Sequence, residues 1–197
     1  MRLAPFALAA LAIFGIYKLY SGREITHAPG VLAADDPRQS DIESGAVIER
    51  GEFHLRPRAE FSATVRILSR EDYSLGALAK LVPTDFAVGW GPMSDSDVLA
   101  DVEVSQGNRF YYWRTRNWPI SRADIETHSA NWHVIPENAE VGRVLGRLKA
   151  GSVVELRGRL VDIEGGEGGM RTSLSRTDTG AGACEILLAE SASIAGH

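Results

Sequence analysis

The sequence predicts an α+β protein. An N-terminal transmembrane helix is followed by a small, mostly antiparallel β-sheet curled into a barrel, with two or three short helices. Three stretches carry the expectation. Leu3–Tyr17 is an unbroken run of apolar or small residues. Ser152–Ser191 reads as strand patterns joined by glycine-rich turns. Glu137–Ala150, just ahead of it, has the apolar spacing of a helix.

The apolar run is near the lower length limit for crossing a bilayer. Leu19 and Tyr20 extend it, and Lys18 can reach toward headgroups. A cleaved signal peptide would need a small-residue site just past the run. Tyr17–Arg23 (YKLYSGR) offers none, and Val31–Ala33 lies too far downstream. Glu24–Gly51 is rich in Asp, Glu, Gly, Pro and Ala and has no sustained period, the signature of a flexible tether. The expected organisation is an anchor over 1–22, a tether over 23–56 and a globular α+β domain over 57–194. The anchor implies a single-pass protein of the bacterial inner membrane with its domain in the periplasm.

Within the domain, Phe61, Ala63, Val65 and Ile67 alternate with Ser62, Thr64 and Arg66, so Ala59–Ser69 is expected as a strand. Tyr73–Leu81 allows one or two helical turns before Pro83 stops them. Ser94–Val104 is expected as a helix, with Ser94 at the cap and Asp97 three residues on. Arg109–Arg116 (RFYYWRTR) is a strand of aromatic and basic residues, and Asn131–Ile135 is another short strand. Ser121 and Asp124 repeat the helix-start signal. Val141, Val144, Leu145 and Leu148 make one apolar stripe, and Gly151 ends that helix. Val154, Leu156, Gly158 and Leu160 then alternate with charged residues, and the mid-strand Gly158 marks a bulge or sharp bend. Glu164–Gly169 is a turn, Met170–Ser175 a strand and Thr177–Ala183 a second turn. The last strand puts Cys184, Ile186 and Leu188 toward the core and Glu185 opposite them. A helix leading into a closing hairpin is similar to an OB-type barrel, and that likeness licenses no function.

The chain has 197 residues, 44% of them apolar, enough for one domain with a real core. Its net charge of −5 offers no general attraction to phosphate backbones, so nucleic acid is an unlikely partner. One cysteine, Cys184, excludes an internal disulfide. Neither a Gly-x-x-x-x-Gly-Lys-Ser/Thr loop nor a Gly-x-Gly-x-x-Gly turn is present, so no nucleotide or other cofactor is expected.

Four positions invite a chemical reading. Asp178-Thr179-Gly180-Ala181 resembles the active-site turn of pepsin-like and retroviral aspartic proteases, which need two such aspartates sharing a proton. That family sets an apolar strand before the Asp. Here Leu174-Ser175-Arg176-Thr177 precedes it, and a hairpin loop explains the residues equally. His128 and His133 could ligate a metal with Asp124 or Glu126 nearby, but their spacing fits no usual helix pair. Asn108–Arg122 interleaves aromatic and guanidinium side chains without an acid. Arg109, Tyr111, Trp113, Arg114, Arg116 and Trp118 are its expected contact residues, for a partner, a base, a sugar or lipid headgroups. The opposing reading is a strand with core aromatics on one face and solvated arginines on the other. Ser173 and Ser175 lack a nucleophile-elbow turn, and Cys184 reads as a small apolar side chain.

Asp85–Asp95 (DFAVGWGPMSD), His128–Val141 (HSANWHVIPENAEV) and Arg171–Ile186 (RTSLSRTDTGAGACEI) are similar to a group of bacterial single-span membrane proteins with no assigned activity. The resemblance implies an anchor plus a compact domain and transfers no catalytic or binding residue. The functional expectation is a membrane-anchored, non-enzymatic module that binds an envelope protein. The alternatives are a hydrolase at Asp178 or at His128/His133, or a single-stranded nucleic-acid binder if the domain is cytoplasmic.

Overall fold

The computed structural model describes residues 24–166 and 169–195. The expected anchor over 1–22 lies outside them. Among the described residues no helix is long and apolar enough to cross a membrane. The architecture is mixed α+β, mostly strands with few short helices.

In chain order the elements begin with two short strands, β1 (Arg38–Asp41) and β2 (Ile48–Arg50), then β3 (Phe53–Asp72), helix α1 (Ala77–Leu81) and β4 (Thr84–Gly89). A 3-10 turn at Gly91–Ser94 leads to α2 (Ser96–Leu99), the hairpin β5 (Val102–Gly107) and β6 (Phe110–Thr115), and α3 (Arg122–Thr127). Next come β7 (Ser129–Pro136), α4 (Ala139–Leu145), β8 (Val153–Gly165) and β9 (Glu185–Ile194).

Strand β3 organises the sheet. Its first part, Phe53–Arg66, pairs with β8, and its last part, Arg66–Asp72, pairs with β4. The pairings run on through β7 and β9 back to β8, so β3, β4, β7, β9 and β8 form a closed ring. All its pairs are antiparallel except β7–β9, which is parallel. Two irregularities, at Pro57/Ala59 and Ile67/Ser69, let one strand serve both neighbours.

Inside the ring lie Phe61, Val65, Phe86, Trp90, Trp132, Leu156, Leu160 and Leu187. Phe61 meets Trp132 edge-on at 5.3 Å. Helix α4 closes the ring with Val141 and Leu145, and Leu148 follows them. Asn138 starts α4, accepting from the amides of Glu140 and Val141. Outside the ring wall, Leu55, Ile135, Val161, Ile163, Ile186 and Leu188 make a second cluster under Leu81 and Val82. The strands between the two clusters are therefore buried on both faces.

Several expectations change. Residues 24–50, expected as a tether, run along the domain: β1 and β2 pair with β3, Ile25 N donates to Ala150 O at 2.9 Å, and Ala33 is buried. Gly151 has φ +86, and a Cβ there would meet the Ile25 carbonyl, so the turn that ends the α4 region also seats the N-terminal segment. The helix expected over Ser94–Val104 shrinks to α2, and Asp95 caps it rather than Ser94. The Ser94 hydroxyl instead serves the Leu32 and Ala33 amides and the Gly91 carbonyl. Val102 and Val104 belong to the hairpin. Met170–Ser175 is not a strand. Only Met170 bridges Ile163, and side-chain bonds hold the rest: Thr172 N donates to Asp162 Oδ1 and Thr172 Oγ1 accepts from Ile186 N.

Candidate functional site

The β5–β6 hairpin stands away from the ring on a third apolar cluster that includes Met93, Val102, Ile125 and Trp113. Its two-residue turn is Asn108–Arg109, with φ 54 and 68, the left-handed pair that suits a tight hairpin. Between β6 and the segment Ser175–Glu185 runs a cleft of about 620 Å³. Tyr111, Trp113, Trp118 and Trp90 line one wall, and Asp178–Ala181, Ala183 and Cys184 line the other. Ser129 and Ala130 of β7 border it. A second, more polar cleft of about 550 Å³ holds Glu24, Arg66, Arg114 and Arg116 on the far side of the hairpin.

The expected contact residues separate. Tyr111 and Trp113 are half-buried and face inward; Phe110, Tyr112 and Arg114 face water. The Tyr111 hydroxyl lies 3.3 Å from Ser129 O. Trp113 and Trp118 meet edge-on at 6.1 Å, with Arg122 stacked over Trp113 at 5.8 Å. Trp118 is 58% exposed. Arg116 is exposed too, while Arg114 is held by two bonds to Glu103, each 2.8 Å. Arg109 turns back from the surface and is half-buried. Its guanidinium stacks on Tyr73 at 3.7 Å and donates to Asp85 Oδ1 at 2.9 Å and Val82 O at 3.1 Å. It is a structural ion-pair residue, because the left-handed backbone of the turn aims it back at the sheet.

The chemical candidates do not assemble. His128 Nδ1 lies 2.9 Å from the Asp124 carbonyl, and its ring sits beside Trp90. His133 Nδ1 lies 2.9 Å from Asp85 Oδ1, with the side chain buried. His128 ends α3 ahead of β7 while His133 lies within β7 and faces Asp85, and among the described residues no group of three His, Cys, Asp or Glu could hold a metal. Asp178 is exposed on its loop and accepts from Ser173 Oγ at 2.7 Å, as a turn residue does. The Cys184 thiol is pushed up to about 11 by burial, which opposes the thiolate a nucleophile needs. The hydrogen bonds of Ser173 and Cys184 reach no imidazole or amine.

Glu185, expected opposite the core-facing residues of the last strand, is buried, and with Arg176 it shapes the cleft floor. Glu185 is 1% exposed and pairs with Arg176 at 3.0 Å, while Arg176 stacks over Phe61 at 5.4 Å. Burial pushes the Glu185 carboxyl up to about 8 despite the opposing attraction of Arg176. Among the described residues its Oε2 has no hydrogen-bond partner. The signal was the unbroken run Ile186–Ala189, which marks a strand buried on both faces, so a Glu at its head is buried as well.

A raised acid binds its proton more tightly in the folded state than in the unfolded one. Stability should therefore fall as pH rises from about 4.5 to about 8 and level off above. Urea midpoints taken across this range should show that slope, and Glu185→Gln should flatten it. An unchanged slope in the variant would assign it to other groups.

Compared with family models, with curated proteins and with solved structures, the chain matches none.

Proposed function

We propose that this chain is a membrane-anchored, non-enzymatic binding module. Residues 1–22 hold it in the bacterial inner membrane, and its domain faces the periplasm. We read the five-stranded ring as an OB-type barrel, in keeping with its strand order, its parallel β7–β9 pair and the α4 helix between β7 and β8. The observation that carries the reading is the aromatic cleft beside β6. It is open and apolar enough to hold a ligand, while the ionisable groups around it are engaged with one another: Arg114 with Glu103, Arg122 with Glu126 and Arg176 with Glu185. We read a cleft walled by aromatic and small side chains, with its raised acid Glu185 buried on the floor beside Arg176, as suited to recognition rather than turnover.

The test compares the full-length chain in membranes with an Ala183→Trp variant, whose indole fills the cleft. After in vivo cross-linking, a protein held by the native chain should be missing from the variant. Identical sets of cross-linked proteins would remove the cleft from the function.

A further inference from the structure

We infer that the cleft receives an extended polypeptide segment, which adds as a strand to the free edge of β6; this inference rests on the binding-module reading above. All six residues of β6 border the cleft, as they do when a strand is met edge-on. The register places Gly107 opposite Phe110 across the two-residue turn, which makes that pair hydrogen-bonded. Alternation then gives Tyr112 and Arg114 to β5 and turns the N–H and C=O groups of Tyr111, Trp113 and Thr115 outward. Among the described residues, no backbone or side-chain bond from another element reaches those outward groups. An unpaired row of donors and acceptors is a template for another strand.

The rest of the cleft fits the same occupant. The wall facing β6 is built of small residues, Gly180, Ala181 and Ala183, which leaves width for a backbone. Side chains on one face of an added strand would meet Tyr111 and Trp113, the inward face of β6. Two of the three guanidiniums at the cleft, Arg114 and Arg122, pair with Glu103 and Glu126, and Arg176 lies on the buried floor beside Glu185. With a net charge of −5 on the chain, that distribution favours a polypeptide over a nucleic acid, whose backbone demands exposed unpaired cations.

The test uses the full-length chain in lipid nanodiscs and linear decapeptides selected from a random phage-displayed library. The best synthetic peptide is compared with two versions N-methylated at alternate residues. One version should lose about tenfold or more in affinity, the cost of one or two strand hydrogen bonds, and the other should bind as before. Amide exchange at Tyr111, Trp113 and Thr115 should slow on binding, and exchange at Tyr112 should not. Thr115→Pro removes an outward N–H while sparing the bonds to β5, and it should weaken binding to a similar degree. Two results would overturn strand addition: both methylated peptides bind like the parent, or the selected peptides bind the filled Ala183→Trp variant unchanged. In the first case, loss of binding in Ala183→Trp would leave the binding-module reading standing. A library that yields no binder, while oligo-dT binds at the cleft, would also overturn it and point to nucleic acid.

Discussion

Replacing Gly158 by valine is expected to cost roughly 3 kcal/mol or more and to open the sheet ring. Gly158 sits at the irregularity where β8 steps past β9, between the pairs Arg157–Ser191 and Gly158–Ala189. A Cβ at this position would fall inside the Leu188 carbonyl oxygen and against the Glu190 amide nitrogen. Both belong to backbone, so neither can swing aside as a flexible side chain would. The strands must part, and the ring loses a seam that faces Leu156, Leu160 and Leu187 in the core. Urea unfolding followed by tryptophan fluorescence measures the loss, since Trp132 and Trp90 are buried within the ring. Gly142→Ala is the contrast. Its Cβ would meet only Pro136 Cβ at 3.7 Å, an ordinary contact, so α4 should gain roughly 0.5–1 kcal/mol. Equal losses in the two variants would show that close backbone approach is not the cause.

Arg109→Met should cost about 3–5 kcal/mol. Asp85 is fully buried, and Oδ1 is where both Arg109 and His133 approach; among the described residues Oδ2 has no hydrogen-bond partner. Taking away the guanidinium leaves a carboxylate without its main counter-charge. The loss should shrink in Arg109→Met combined with Asp85→Asn, because the second change removes the group the first one strands. Thermal unfolding of the four proteins of that cycle gives the coupling. A small effect of Arg109→Met alone would show that His133 suffices to hold Asp85.

This pair also shows where the sequence could be read and where it could not. The alternation of Arg109–Arg116 made a strand legible over Phe110–Thr115, but its aromatics divide between the two faces, with Phe110 and Tyr112 exposed beside Arg114. The destination of Arg109 was not legible, because it depends on a left-handed turn and on an Asp 24 residues away. Asp85 itself lies in Thr84–Gly89, a short strand buried along its whole length, whose period-2 signal vanishes for that reason. The α4 stripe was readable because apolar spacing is a local property, but the helix spans Ala139–Leu145 with Gly146 as its cap rather than running from Glu137 to Ala150 and ending at Gly151. The end of the Ser94 helix was not, since Asp95 and Ser94 divide the capping and bracing roles through contacts with Gly30 and Ala33, far off in sequence. The cleft was half visible. Its aromatic wall is one contiguous stretch, while the facing wall is a loop whose position is set by Thr172 and Glu185 bonds.

With the anchor proposed above, the seating of Ile25 on Ala150 would limit how far the domain could travel from a bilayer. The proposed anchor over 1–22 would leave only Arg23 before Glu24, a leash of about 7 Å at full stretch. Under that proposal the domain would skim the lipid surface, and the hairpin beside Glu24 would skim with it. Encounters would then be confined to a thin layer where diffusion is two-dimensional, and partners that never come within a domain's width of the membrane would be out of range.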